Sequence, residues 1–231
     1  MNGLIENSTT FGIVVSIIGY QIGLLLRKKF KLAILNPLLI SIILVIAGIL
    51  TFHIDYADYN KSAQYLSYLL TPATVSLAIP LYKNLTILKE NVAAIMTGII
   101  SGIISNLVCV LLFALAFGLS HKEYITLLPK SITTVIGMGV AEEFGGIVAI
   151  TVAVIIITGI LGNIIAITVF RIFRIYEPIA RGISLGGASH AIGTAKAMEM
   201  GEIEGSVSSL AMIVSGILTL IGVSVFANFI K

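Results

Sequence analysis

Residues 91–121 read NVAAIMTGIISGIISNLVCVLLFALAFGLSH, and no Asp, Glu, Lys or Arg interrupts them. A helix that crosses a bilayer needs about 20 apolar residues, whereas a buried helix of a soluble protein rarely runs beyond about 14. This stretch decides the fold, because only a membrane helix uses so long a charge-free run. Three more such runs surround it: Leu32 to Ile54, Phe144 to Phe170 and Gly205 to Ile230. Phe11 to Leu26 is also apolar and is followed by Arg27, Lys28, Lys29 and Lys31. A secretory signal carries its positive charge before the apolar core and ends in small residues, so this segment reads as a retained helix.

The composition agrees. Of 231 residues, 58% are hydrophobic and 11% charged, where a soluble domain carries about a quarter charged residues. The mean hydropathy is +1.09. Disorder requires the opposite balance, and an outer-membrane barrel requires short alternating segments. The net charge of +3 is modest and its cations sit between apolar runs, so they orient the chain and do not imply a nucleic-acid partner. Cys109 is alone, and His53, His121 and His190 are far apart in the chain, which gives no disulfide and no metal set. Neither a nucleophile elbow nor a phosphate-cradling loop is present. The expectation is a protein that is not an enzyme and needs no cofactor. Its fold is all-α, a polytopic integral membrane protein with about seven or eight membrane elements, forming a single transmembrane domain over residues 1–231.

Clear spans are expected at about 11–26, 32–54, 91–118, 145–170 and 205–230. Positive charge places the Arg27–Lys31 cluster in the cytoplasm, with Arg171, Arg174 and Arg181 on the same side. If every candidate crosses, the parity between these two clusters fails. Either one segment is re-entrant or the charge rule fails at one loop, and the number of crossings stays open.

Three further segments, about 62–82, 124–141 and 183–198, are apolar but broken by Pro, Gly, Ser and Thr. Irregular backbone is tolerated at membrane depth only where protein or a water-filled cavity satisfies it. Function is therefore sought there. The three segments also resemble one another. Ser76-Leu-Ala-Ile-Pro-Leu-Tyr-Lys83 aligns without gaps on Ser189-His-Ala-Ile-Gly-Thr-Ala-Lys196, with Thr133-Thr-Val-Ile-Gly-Met-Gly-Val140 between them at steps of 57 and 56 residues. The spacing points to internal repeats at about 62–118, 124–171 and 183–230, as in carriers whose broken helices meet near the midplane. Small residues are common in all membrane helices, which is the competing explanation.

Lys130 is the most informative single residue. A charge at mid-depth costs about 3 kcal/mol, so one that persists faces a cavity or pathway, or else snorkels to the interface. Pro129 suits the first turn of a helix, and Ser131, Thr133 and Thr134 would then set hydroxyls beside the free amides of a helix start, an arrangement suited to an anion. In the third segment, Ser189, His190, Gly193 and Thr194 form a second candidate, where a histidine could couple a proton to a solute or simply bond a neighbouring helix. In the first segment, Pro72, Thr74, Ser76 and Pro80 would break the helix and expose backbone groups. Glu142 and Glu143 are expected in a loop with Gly145 and Gly146, and Glu199, Glu202 and Glu204 in a polar linker.

At these motifs the chain resembles the LrgB/CidB family of bacterial membrane proteins. The matches are Asn36-Pro37-Leu38, Ala78-Ile-Pro-Leu-Tyr-Lys-Asn84, Leu128-Pro-Lys-Ser-Ile-Thr133, Glu143-Phe-Gly-Gly146, Ile179-Ala-Arg-Gly182 and Ala188-Ser-His-Ala-Ile-Gly-Thr-Ala-Lys-Ala-Met-Glu199. The last looks closer to the CidB branch. The likeness runs from about residue 11 to 226. It implies a multi-pass protein of the bacterial cell membrane. The family is described as holin- or antiholin-like, modulating murein hydrolases and autolysis with a small LrgA/CidA-type membrane partner. It also includes a plastidial glycolate/glycerate transporter and systems associated with pyruvate uptake. Two functions follow as expectations: a secondary transporter, or transporter subunit, for small monocarboxylates, or a regulator of lysis that transports nothing. The expected partners are the lipid bilayer, a small carboxylate, the small membrane partner and further copies of the chain as a homo-oligomer.

Overall fold

The computed structural model describes residues 10–30, 32 and 35–230, apart from the side chains of Leu70, Thr71 and Thr74. Lys31 of the basic cluster lies outside the described residues. All regular structure among them is helical. The chain divides into two compact units, Met1–Ser76 and Leu77–Lys231.

In the first unit, α1 (Phe11–Phe30) pairs with α2 (Pro37–Thr51). The α2 start is fixed by Asn36, whose Oδ1 accepts from the amides of Leu38 and Leu39, with Pro37 in the first helical position. Proline is favoured there because its missing N–H is not needed. At 15 residues α2 is shorter than the 32–54 span expected from the sequence. Next come α3 (Tyr56–Ala63), a 3₁₀ stretch (Gln64–Leu69) and α4 (Leu70–Ser76). Gly12 faces this segment, and its amide donates to Ser62 Oγ at 2.7 Å.

The second unit opens with two short helices, α5 (Ala78–Lys83) and α6 (Leu85–Glu90). Then follow α7 (Val92–Phe117), α8 (His121–Leu127), α9 (Thr134–Glu143), α10 (Val148–Ile172), α11 (Pro178–Met200) and α12 (Glu202–Phe226). α1, α7, α10 and α12 are each long and apolar enough to cross a bilayer. Their outward faces carry large exposed apolar side chains, such as Ile104, Leu112, Ile157 and Ile217, the surface that lipid requires. Cys109, the chain's lone cysteine, is a free and exposed thiol on α7.

α11 and α12 form the most extensive packing of the unit. It is made of small residues: Gly182 and Gly186 of α11 lie against the backbone of Glu204 and Ser208. Small residues let membrane helices approach closely, so dispersion and hydrogen bonding act at short range. On α7, Ile95, Ile99, Ile103, Leu107, Val110 and Ala114 are all buried. Their spacing of three or four is one helical stripe, and it belongs to the main apolar core with Val207, Ala211 and Val223 of α12.

The expected polar loops are partly helix. Glu142 and Glu143 close α9, and the turn follows at Gly145, whose φ of +81° suits a residue without a side chain. Glu204 lies in the first turn of α12, buried, 3.9 Å from Arg181. An acidic residue at a helix start is favoured by the helix dipole.

The three segments aligned from sequence all coincide with helix breaks. α4 gives way to α5 at Leu77, α9 starts after Thr133, and α11 is broken at His190. A long helix follows each, starting at Val92, Val148 and Glu202, with lengths of 26, 25 and 25 residues.

Candidate functional site

A cleft of about 350 Å³ opens within the second unit, between α7 and the N-terminal half of α11, with Lys130 and Ser131 at its edge. From α7 it takes Gly98, Ser101, Gly102, Ser105 and Asn106. These positions follow the i, i+3, i+4, i+7, i+8 rhythm of one helix face, lying beside the apolar stripe. From α11 it takes Ile183, Ser184, Gly187 and Ala188. A Cβ placed on Gly102 would meet nothing within 4 Å, so that wall is bare backbone facing open space.

Lys130 is the one ionisable residue lining the cleft. Its Nζ donates to Ser131 Oγ at 3.4 Å, and Ser131 Oγ donates to Asn106 Oδ1 at 3.2 Å. An ammonium has three donors, so two remain for a ligand. Among the described residues no carboxylate pairs with it. Asn106 lies 14 residues into α7, about 21 Å from its start at 1.5 Å per residue. The chain Lys130–Ser131–Asn106 thus reaches the middle of a helix long enough to span the membrane.

The turn that holds Lys130 differs from expectation. Pro129 does not open a helix. Lys130 N–H donates to Leu127 C=O at 3.2 Å and Ile132 N–H to Pro129 C=O at 3.3 Å, two consecutive turns. α9 begins at Thr134, with Thr133 in the extended N-cap position that threonine favours. The Thr133 side chain makes no capping bond, and neither Thr133 nor Thr134 lines the cleft. Of the hydroxyls expected around Lys130, the structure brings only Ser131 to it.

Ser189, His190, Gly193 and Thr194 are buried between helices, away from the cleft lining. His190 has φ 42° and ψ −132°, a sparsely populated conformation for a residue with a side chain, worth about 1–3 kcal/mol of strain. Its ring sits in a notch on α10. A Cβ on Gly159 would come within 2.8 Å of both Cε1 and Nε2 of the ring, so only glycine leaves room. Nε2 lies 3.0 Å from Ile155 O. A carbonyl can only accept, so the neutral ring carries its proton on Nε2. Thr194 Oγ1 donates to His190 O at 2.9 Å and meets Ser208 Oγ at 3.0 Å. Asn163 Nδ2 donates to Ile192 O at 3.1 Å. These bonds satisfy carbonyls that the break would otherwise leave open. Lys196 is bound to Glu199 at 2.9 Å.

The first-segment residues lie elsewhere. Pro72 and Ser76 are exposed, with Ser76 Oγ donating to Ala73 O, and the Thr74 side chain lies outside the described residues. Pro80 O accepts from Ser206 Oγ at 2.7 Å and from Asn84 Nδ2 at 3.0 Å, which docks α5 on α12. Of Pro72, Ser76 and Pro80, none lines the cleft.

The LrgB-like family model matches residues 16–229. The antiholin-like protein LrgB of Bacillus mycoides (strain KBAB4) is 37% identical over 221 residues, covering 95% of this chain and 96% of its own length. The same figures hold for the antiholin-like protein LrgB of Bacillus cereus (strain B4264) and of Bacillus anthracis (strain CDC 684 / NRRL 3495). No solved structure matches the chain.

Proposed function

The chain belongs to the LrgB-like family, and from that premise we propose that it carries small monocarboxylates, such as pyruvate or glycolate, across a bacterial plasma membrane. The observation that carries this reading is Lys130, a cation without a carboxylate partner among the described residues, tied through Ser131 to the middle of α7 and facing a cleft. In this reading the Lys130 ammonium pairs with the substrate carboxylate, a charge-assisted bond. Ser131 and Asn106 hold the ammonium in place, and Ser101, Ser105 and Ser184 supply hydroxyls to the rest of a small polar solute. The threefold order of half-helices, break and long helix supports an internally duplicated carrier, whose broken helices serve the transport site. A small LrgA/CidA-type membrane protein, or further copies of the chain, completes the carrier.

Uptake of labelled pyruvate or glycolate into proteoliposomes tests this, with the chain alone and with the small partner. Saturable uptake is the expected result, and none in either arrangement sinks the reading.

The relatives' name, antiholin-like, favours a second reading, an antiholin-like regulator, with murein hydrolases and lysis as its expected targets. The two readings part on one variant. A Lys130→Met chain that restores normal autolysis to a deletion strain while transporting nothing assigns the lysis role to something other than transport.

A further inference from the structure

The cleft and the break in α11 share one half-helix. Ile183, Ser184, Gly187 and Ala188 form a wall of the cleft, and the backbone breaks two residues later, at His190. Beyond the break, Asn163 and Thr194 hold the C-terminal half by its own backbone. At the break itself, the His190 ring joins α11 to α10 through the Gly159 notch and the Ile155 carbonyl. We propose that His190 is a positioning residue, a latch whose imidazole, seated against Gly159, adds an anchor on α10 to the hold that α12 has on the N-terminal half of α11 through Gly182 and Gly186, so that leaving the notch lets this half-helix pivot on α12 and widens the Lys130 cleft.

The chemistry of the ring supplies a trigger. In the imidazolium both nitrogens donate, and the notch offers the Ile155 carbonyl to one of them. Among the described residues no counter-charge is paired with it: α10 carries no titratable residue ahead of Arg171, α7 carries only Cys109, α12 carries none beyond Glu204, which lies 3.9 Å from Arg181 of α11, and Lys196 of α11 is engaged by Glu199. Taking up a second ring proton therefore favours departure from the notch, towards the cleft or water. A proton and the cleft width are thereby coupled, and the link rests on the carboxylate reading only for what the cleft holds.

Spin labels at Ala180→Cys on α11 and Ile104→Cys on α7, in a Cys109→Ser background, report the separation of the two helices without any substrate. Both positions are exposed and neither lines the cleft. The distance distribution should lengthen when the full-length protein in proteoliposomes is taken from about pH 8 to about pH 5. His190→Gln keeps an N–H for Ile155 but cannot titrate, and it should hold the short distance at both values. Gly159→Ala, which expels the ring, should give the long distance already at about pH 8. A distribution that ignores pH in the unaltered protein, or that still responds in His190→Gln, overturns the latch. If Gly159→Ala does not fold, the His190→Gln comparison decides alone. Saturable uptake with a pH-insensitive distance removes the latch and leaves the carrier. A pH-sensitive distance without uptake removes the carrier and leaves the latch.

Discussion

Lys130 shows how much one residue can be asked to do. Replacing it with methionine removes the charge and keeps most of the length. Uptake should fall about 100-fold, the order expected when charge-assisted bonds worth about 3 kcal/mol are lost, while membrane insertion, read by protease protection, stays intact. Its candidacy was legible because a lysine in an apolar segment is anomalous, and the structure holds it half-buried beside Ser131. Asn106, the partner of Ser131, was not legible: one amide within a charge-free run looks like any polar residue a membrane helix tolerates. A second residue with a defined outcome is Glu123, at the start of α8, outside the spanning helices. Its carboxylate accepts from the Ser120 amide at 2.8 Å and hydroxyl at 2.7 Å, completing a capping box. The hydroxyl and then the amide hold its pKa below the usual carboxylate value. A depressed folded-state pKa means the stabilisation is present above the unfolded value and lost as pH falls through the folded one. Hydrogen exchange should show the first turn of α8 fraying under acid, and Glu123→Ala, which removes the acceptor, should fray at all pH values.

The elements were legible where their pattern was long. Four of the five clear spans correspond to long helices, because a run of about 20 apolar residues has few other solutions. Short pieces were less readable. The start of α9 moved from Pro129 to Thr134, since proline allows a helix start without compelling one, whereas Thr133 sits in the N-cap conformation. The cleft wall on α7 was written in the sequence as Gly98, Ser101, Gly102, Ser105 and Asn106, a helical face of small and polar residues. It was passed over because the same composition serves plain helix packing. The two roles separate on Gly102. Gly102→Val adds a side chain into open space, so stability should change by less than about 0.5 kcal/mol while uptake drops. A melting transition that collapses instead would mean that the residue packs a helix and does not line a site.

Across the whole molecule, the step of 57 and 56 residues between aligned segments is matched by helix breaks at Leu77, Thr133 and His190. Sequence spacing registered the rhythm because Pro, Gly, Ser and Thr recur in all three segments. It could not tell which break would face a cleft, since that depends on contacts between distant helices. If the units arose by duplication, inserting a short Gly-Ser segment between them, at Leu119 or Ile175, should preserve folding, whereas the same insertion after His190 should abolish it, as read by detergent-stable monodispersity. One small feature also reaches to this scale. Cys109 is the chain's lone cysteine, exposed on α7, so the protein carries its own gauge of association. Mild oxidation in the membrane would covalently trap two copies only where both present α7 to each other. A reducible band at twice the monomer mass would then locate that seam without a single added label.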